Sequence, residues 1–255
     1  MIKIPFVKKV TKCGDTVFIE KTWCSRYGTK GLIYHQKTGN KTTDKQQKVN
    51  DRNAMKRFEM LEVANFKKGD YIMTFTFKKN SIGEPLKDYK AECKQAFTKF
   101  LRDLRRVYKK HGAELKYIKS FEHENCRPHF HMICNSAVNI TEFPEWKYGK
   151  IHYELRDNRE HQTFGAYLAK ENHKKDDINE DMTHKRGEVS SSRNLIRPET
   201  KYTVLQCPSW SEVPKVPKGY VLDSESVENG TIENTFTGNS YRYQSYRITK
   251  ERKKE

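Results

Sequence analysis

No stretch of the 255-residue chain approaches the roughly 20 apolar residues that a membrane-spanning helix requires. Met1-Ile-Lys-Ile-Pro-Phe6 also leads into no long apolar segment of the kind found in a secretory signal. The six cysteines (Cys13, Cys24, Cys93, Cys126, Cys134 and Cys207) form no C-x-x-C pair. That argues against a zinc ribbon and reads as the reduced thiols of a cytoplasmic protein. A G-x-x-x-x-G-K-[ST] phosphate loop is missing, which excludes an ATPase of that type. Acidic residues are scarce as well: 33 Asp+Glu face 50 Lys+Arg, a formal net charge of +17 and a pI near 9.5. Such an imbalance suits a polyanion, with nucleic acid the first candidate, although a merely soluble cationic surface would carry it too. With 35% hydrophobic and 12% aromatic residues the chain is too apolar for disorder throughout, so one sizeable core is feasible.

Along the chain, residues up to about 45 mix short β-like pieces (Thr16-Val-Phe-Ile19, Gly31-Leu-Ile-Tyr34) with a polar run, as in an arm that wraps a body. Ala54, Met55, Phe58 and Leu61 fit helical spacing between Lys45 and Phe66, with Val63 off the stripe. Asp70 to Phe77 reads as a central strand bounded by Gly69 and a Lys-Asn-Ser turn. A helix over about Asp88–Lys110 follows, with Phe97, Phe100, Leu101, Leu104, Val107 and Tyr108 on its core face. Arg102, Arg105, Arg106 and Lys109 lie largely off that stripe, where they contact phosphates or simply meet solvent. Gly112 ends the helix.

Arg127-Pro-His-Phe-His-Met-Ile-Cys-Asn135 is strand-like and contains two histidines one residue apart. Successive strand side chains alternate, so His129 and His131 leave on one side while Phe130 and Met132 leave on the other. Either two imidazoles converge on a metal ion, or two partly buried histidines make ordinary hydrogen bonds. The preceding segment, Glu114 to Glu122, is also strand-like, and the short polar connection from His123 to Pro128 makes the two strands a hairpin. Glu122 then ends near the start of the His-x-His strand. A carboxylate beside two imidazoles gives three of the ligands that Mg²⁺ or Mn²⁺ needs, with His123 or Glu124 as substitutes if the register slips. The alternative for Glu122 is a surface carboxylate at a turn.

Gly149 to Arg156 reads as another strand, followed by a helix over about Glu160–His173. Phe164, Tyr167, Leu168 and Glu171 share one face of it, with Lys170 in reach of Tyr167. Tyr167 is either a core-edge aromatic or, beside a metal, a nucleophile. A phenol with a pKa near 10 needs a nearby cation or base for the second role.

Met73-Thr-Phe-Thr-Phe77, Pro128-His-Phe-His-Met132 and Tyr167-Leu-Ala-Lys170, in that order, resemble the three motifs of rolling-circle replication initiators, members of the HUH endonuclease superfamily. The resemblance covers roughly residues 70–175. It extends more weakly to residues 50–70 and to Ser190–Pro198, which look like flanking segments of plasmid and phage initiators. It implies that His129, His131 and Glu122 hold Mg²⁺ or Mn²⁺. Tyr167 would attack the scissile phosphate of single-stranded origin DNA, leaving a 5′-phosphotyrosine and a free 3′-hydroxyl, and the same site would later rejoin the strand. Lys170 would steady the phosphate or help deprotonate the phenol, while Thr74 and Thr76 belong to a supporting strand. One tyrosine in the third motif indicates the single-tyrosine type. The missing phosphate loop leaves unwinding to a separate helicase, and extension to a polymerase, in the cytoplasm of a bacterial host.

A conjugative relaxase uses similar chemistry, but its tyrosine usually precedes the histidine motif. A single-tyrosine transposase keeps the order found here and is usually shorter. From another class, a nucleic-acid-binding module with an RNA-recognition-like sheet and incidental histidines would bind without cleaving.

Beyond Pro198, strand-like pieces (Lys201 to Leu205, Tyr220 to Leu222) alternate with turns, and residues 239–247 mix tyrosines with arginines. That mixture either grips single strands or lines an ordinary sheet edge. The expected architecture is α+β: a central antiparallel sheet of about five strands, as in HUH nucleases and RNA-recognition folds, with flanking helices. One sheet face would carry the metal site and the other the Asp88–Lys110 helix. Expected divisions are an arm and helix over 1–66, the endonuclease domain over 67–200, and a β-rich extension with a frayed basic tail over 201–255.

Overall fold

The computed structural model describes residues 6–24, 44–78, 89–122, 127–157, 188–207, 209–233 and 238–251. The fold is α+β, with two antiparallel five-stranded sheets and two helices among these residues. It divides into two compact units, one spanning Asn65–Ile196 and one combining the residues before Asn65 with those from Arg197 onward. No helix among the described residues is long and apolar enough to cross a membrane.

In the unit spanning Asn65–Ile196, strands β3 (Tyr71–Thr76), β4 (Tyr117–Glu122), β5 (His129–Cys134), β6 (Ile151–Leu155) and β7 (Glu188–Ser191) take the order β6-β3-β5-β4-β7. The sheet is sided because alternate residues differ in kind. Met73 and Phe75 on β3, Phe121 on β4, and Phe130 and Met132 on β5 are all buried in one cluster. Against that face packs α2 (Tyr89–Lys110), whose buried residues Cys93, Ala96, Phe97, Phe100, Leu101, Leu104 and Tyr108 recur at helical spacing. Phe97 stacks on Phe130 with ring centroids 4.0 Å apart, and Phe130 stacks on Phe121 at 4.3 Å. Trp146 meets Phe75 and Phe77 edge-on. Off the stripe, Arg102 and Arg106 are exposed, and Arg105 donates to the Tyr117 hydroxyl.

Gly112 ends α2 in the left-handed region, at φ 66°. Its N–H donates to the Lys109 carbonyl and that of Ala113 to Tyr108, which satisfies two otherwise orphaned carbonyls of the last turn. Gly149 serves a different need: a Cβ there would lie 1.9 Å from the Thr76 carbonyl oxygen. Without one, the connection before β6 can lie on the end of β3, where the Trp146 indole donates to that same oxygen. Asn65 and Ile196, the two ends of this unit, are tied reciprocally. The Asn65 amide donates to the Ile196 carbonyl, and the Ile196 N–H donates back to the Asn65 side chain, both at 2.7 Å.

The second unit holds α1 (Asp44–Asn65) and a sheet ordered β8-β1-β2-β10-β9, from β1 (Phe6–Cys13), β2 (Thr16–Trp23), β8 (Thr200–Leu205), β9 (Tyr220–Glu233) and β10 (Ser240–Lys250). Here the structure departs from the expectation of an arm. Phe6–Trp23 forms a hairpin whose two strands pair with strands from the far end of the chain, β8 beside β1 and β10 beside β2. Its smaller core comprises Val17, Ile19, Tyr246 and Ile248. Two further differences concern the tail. The strand foreseen at Tyr220–Leu222 continues to Glu233 by pairing with β10, and at Gly230 the missing Cβ makes room for the Tyr243 ring. β10 is an interior strand, so its mixture of tyrosine and arginine does not belong to a sheet edge. Gly31–Tyr34 and the helix expected over Glu160–His173 lie outside the described residues. The described cysteines are free.

Candidate metal centre

The register of β3, β5 and β4 builds the site. His129 lies directly between Thr76 and Glu122, and His131 between Thr74 and Ser120. Directly opposed residues in an antiparallel pair project to the same face, so all six leave the sheet on the side away from α2. Glu122 is placed by its strand end, since it is the last residue of β4 and His129 the first of β5.

Glu122 Oε2 lies 3.4 Å from His129 Nε2, and Oε1 lies 3.9 Å from His131 Nε2. The candidate ligand atoms of the three residues are all within 4.8 Å of one another. The rings stand nearly perpendicular, 87° apart with centroids 4.7 Å from each other, so the imidazoles converge without stacking. His131 is 5% exposed and Glu122 9%, whereas the His129 side chain keeps 22% of its surface. The site is therefore sunk into the sheet but reachable from one side. Its opening is lined by Thr74, Thr76, Arg127, Pro128, His129, His131 and His152.

Each imidazole has its outer nitrogen occupied. His129 Nδ1 lies 2.8 Å from the Arg127 carbonyl, which can only accept, so Nδ1 carries the proton and the Nε2 lone pair points inward. His131 Nδ1 lies 3.0 Å from Thr74 Oγ1. With Nδ1–H donating to that hydroxyl, His131 also presents a bare Nε2. Burial pulls the His131 pKa down to about 4; the Glu122 carboxylate opposes the shift and the neighbouring His129 adds to it. A neutral ring at pH 7 is what a metal ligand must be.

This donor set fits a divalent cation. Two neutral nitrogens, one carboxylate and an open side suit an ion that keeps coordination positions for water and substrate oxygen. Outer partners that fix the ring tautomers are what metal-binding histidines ordinarily have.

A profile of the replication-associated protein ORF2 family matches residues 70–204. That span contains 135 of the 255 residues, more than half, and includes β3 to β7 with the whole Glu122/His129/His131 cluster. The chain belongs to this family. Membership supports a role as a replication initiator. No match was found among curated proteins or among solved structures.

Within this replication-associated chain, the sequence expectations for His129, His131 and Glu122 meet at one point, while Tyr167, Lys170, His123 and Glu124 lie outside the described residues. Two contributors went unrecognised in the sequence. Thr74 reads there as structural support, yet its hydroxyl meets a ligand ring; period-2 alternation in β3 put it on the correct face, but only the register put it opposite His131. His152 is opposite Thr74 on β6 and lines the opening. A lone histidine in an alternating strand gave no cue to its neighbours.

Proposed function

We propose that this protein starts rolling-circle replication by nicking and rejoining single-stranded origin DNA, as a single-tyrosine HUH endonuclease with its catalytic part over residues 67–200. The observation that carries the reading is the convergence of Glu122, His129 and His131 on one sheet face inside the family-matched span. Mg²⁺ or Mn²⁺ held by these three residues would supply positive charge against the oxygens of the scissile phosphate, where negative charge builds up as phosphorus is attacked. Thr74 and the Arg127 carbonyl keep the two rings turned toward that position. Arg127, at the rim, offers a guanidinium to the approaching backbone.

Tyr167 is the nucleophile. Its phenolic oxygen forms the new bond to phosphorus as the bond to the 3′ oxygen breaks; the phenol proton is lost to base, and the departing oxygen takes one up as a 3′-hydroxyl. Lys170 steadies the phosphate or assists the deprotonation. One phosphodiester is exchanged for another, so the bond is conserved and the strand can be resealed. The free 3′ end suits extension by a host polymerase, with unwinding by a separate host helicase in a bacterial cytoplasm.

Incubating the protein with single-stranded DNA carrying its origin, with and without Mn²⁺, tests the reading on a denaturing gel. A covalent adduct is expected that requires the metal and disappears in Tyr167→Phe. An adduct that persists in Tyr167→Phe removes the assigned nucleophile. Binding with no metal-dependent adduct returns the protein to the class of non-catalytic nucleic-acid binders.

A further inference from the structure

One face of the β8-β1-β2-β10-β9 sheet gathers positive charge that nothing described there neutralises. Lys8 and Lys21 are direct partners across β1 and β2, an arrangement of like charges that costs stability. Arg242 joins them from β10, its guanidinium 5.5 Å from the Trp210 ring centre, with the Lys21 ammonium 5.7 Å from the same ring. Among the described residues no carboxylate forms an ion pair with Lys8, Lys21 or Arg242. On the opposite face the situation differs: Lys9 meets Glu20 at 2.6 Å, and Arg247 is held by Glu59 and Asp223. Burial, reinforced by Lys8 and Arg242, draws the Lys21 pKa below its usual value, so this lysine holds its proton at a cost.

Aromatic rings crowd the same corner. Trp23 and Tyr241 stack in parallel, 4.3 Å apart at 5°, and Phe6 meets both Trp210 and Tyr241 edge-on. The buried Trp210 Nε1–H has no acceptor among the described residues. A corner that combines opposed lysines, a partly desolvated ammonium and an unpartnered indole is poorly arranged for stability, and phosphate would relieve its main strain.

We infer that this face binds single-stranded nucleic acid, with Lys8, Lys21 and Arg242 taking backbone phosphates and the Trp23–Tyr241 stack offering a flat apolar surface to an unpaired base. Charge complementarity and the rings together select this occupant. Cations alone would suit any nucleic acid, whereas aromatic stacking needs bases that are not paired. Apart from strand β8, this sheet falls outside residues 70–204, so the inference does not come from the family match. It also stands apart from the proposed nicking chemistry.

Fluorescence anisotropy with a short labelled oligothymidylate and the full-length protein tests it. The variant Lys8→Gln/Lys21→Gln/Arg242→Gln is expected to lose roughly 30-fold in affinity at low salt, with a salt dependence shallower by about 2 in log–log slope. Trp23→Leu should weaken single-strand binding by about 10-fold and leave the affinity for the matching duplex unchanged. The charge-preserving variant Lys8→Arg/Lys21→Arg/Arg242→Lys guards against misfolding, because it should keep the wild-type slope. His131→Ala should bind as wild type does, so failed nicking and failed binding are distinguishable. An unchanged slope in the neutral variant, an equal loss in the charge-preserving one, or equal losses on single strand and duplex would each overturn the inference.

Discussion

The two sheets share strand number and antiparallel pairing but treat charge in opposite ways. On the β3–β7 sheet a nearly buried carboxylate sits between two imidazoles, each with its outer nitrogen engaged, so the polar groups are fixed and the inward lone pairs await a cation. On the other sheet, lysine faces lysine with arginine beside them, and the groups in deficit are anions. The difference has a structural basis. The metal-bearing sheet is backed by a dense aromatic core around Phe97, Phe130 and Trp146, rigid enough to hold three ligand atoms within 4.8 Å. The other sheet has a core of four buried residues, and a surface that grips a flexible strand through phosphates has less need of such precision.

The largest expected effect probes the first sheet. His131→Ala should lower origin nicking by about three orders of magnitude, since the charge stabilisation supplied through the site is worth several kcal/mol, and should abolish the rise in melting temperature on adding Mn²⁺. If nicking survives, the site's role in catalysis fails. Second is the core that backs it. Phe130→Ala should cost about 3–5 kcal/mol in urea unfolding, while Ile248→Val in the smaller core should cost about 1 kcal/mol. Equal losses would erase the contrast in rigidity.

Third, Thr74→Val should reduce Mn²⁺ affinity by about 10- to 100-fold while Thr74→Ser retains it, read by titration calorimetry. A structural role for Thr74 would move melting temperature and leave metal affinity alone. The smallest effect concerns pH. His131 has a folded-state pKa near 4 against 6.5 for a free histidine, so the unfolded chain takes up the proton first as pH falls. Stability from this residue is therefore full above about pH 6.5 and is lost as pH drops toward 4. Between pH 7 and pH 5 the loss should be about 2 kcal/mol for wild type, and His131→Gln should flatten that slope.

Much of the metal-bearing sheet was legible in the sequence because its signals are local. Alternation in Met73–Phe77 and in His129–Cys134 separated a core face from a site face, and the 3.6 spacing of Phe97, Phe100, Leu101 and Leu104 gave the helix that covers the core. Glu122 was legible because a short hairpin connection constrains register. The N-terminal hairpin was not. Nothing in Phe6–Trp23 announces that its partners lie nearly two hundred residues away on β8 and β10. Strand β9 was under-read for a related reason: Asp223-Ser-Glu-Ser-Val-Glu-Asn-Gly230 has a turn-like composition, and pairing with β10 holds it extended. Trp210 sits in a segment without periodicity, so only its contacts reveal a role.

What the sequence determined by itself was that His129 and His131 leave one side of a strand and that cations outnumber anions, because side-chain alternation is covalent geometry and charge is composition. Only the tertiary structure decided that Glu122 stands opposite His129, that Thr74 turns the His131 ring, and that Lys8 faces Lys21. Those facts depend on register and strand order, which are fixed by pairing between distant segments.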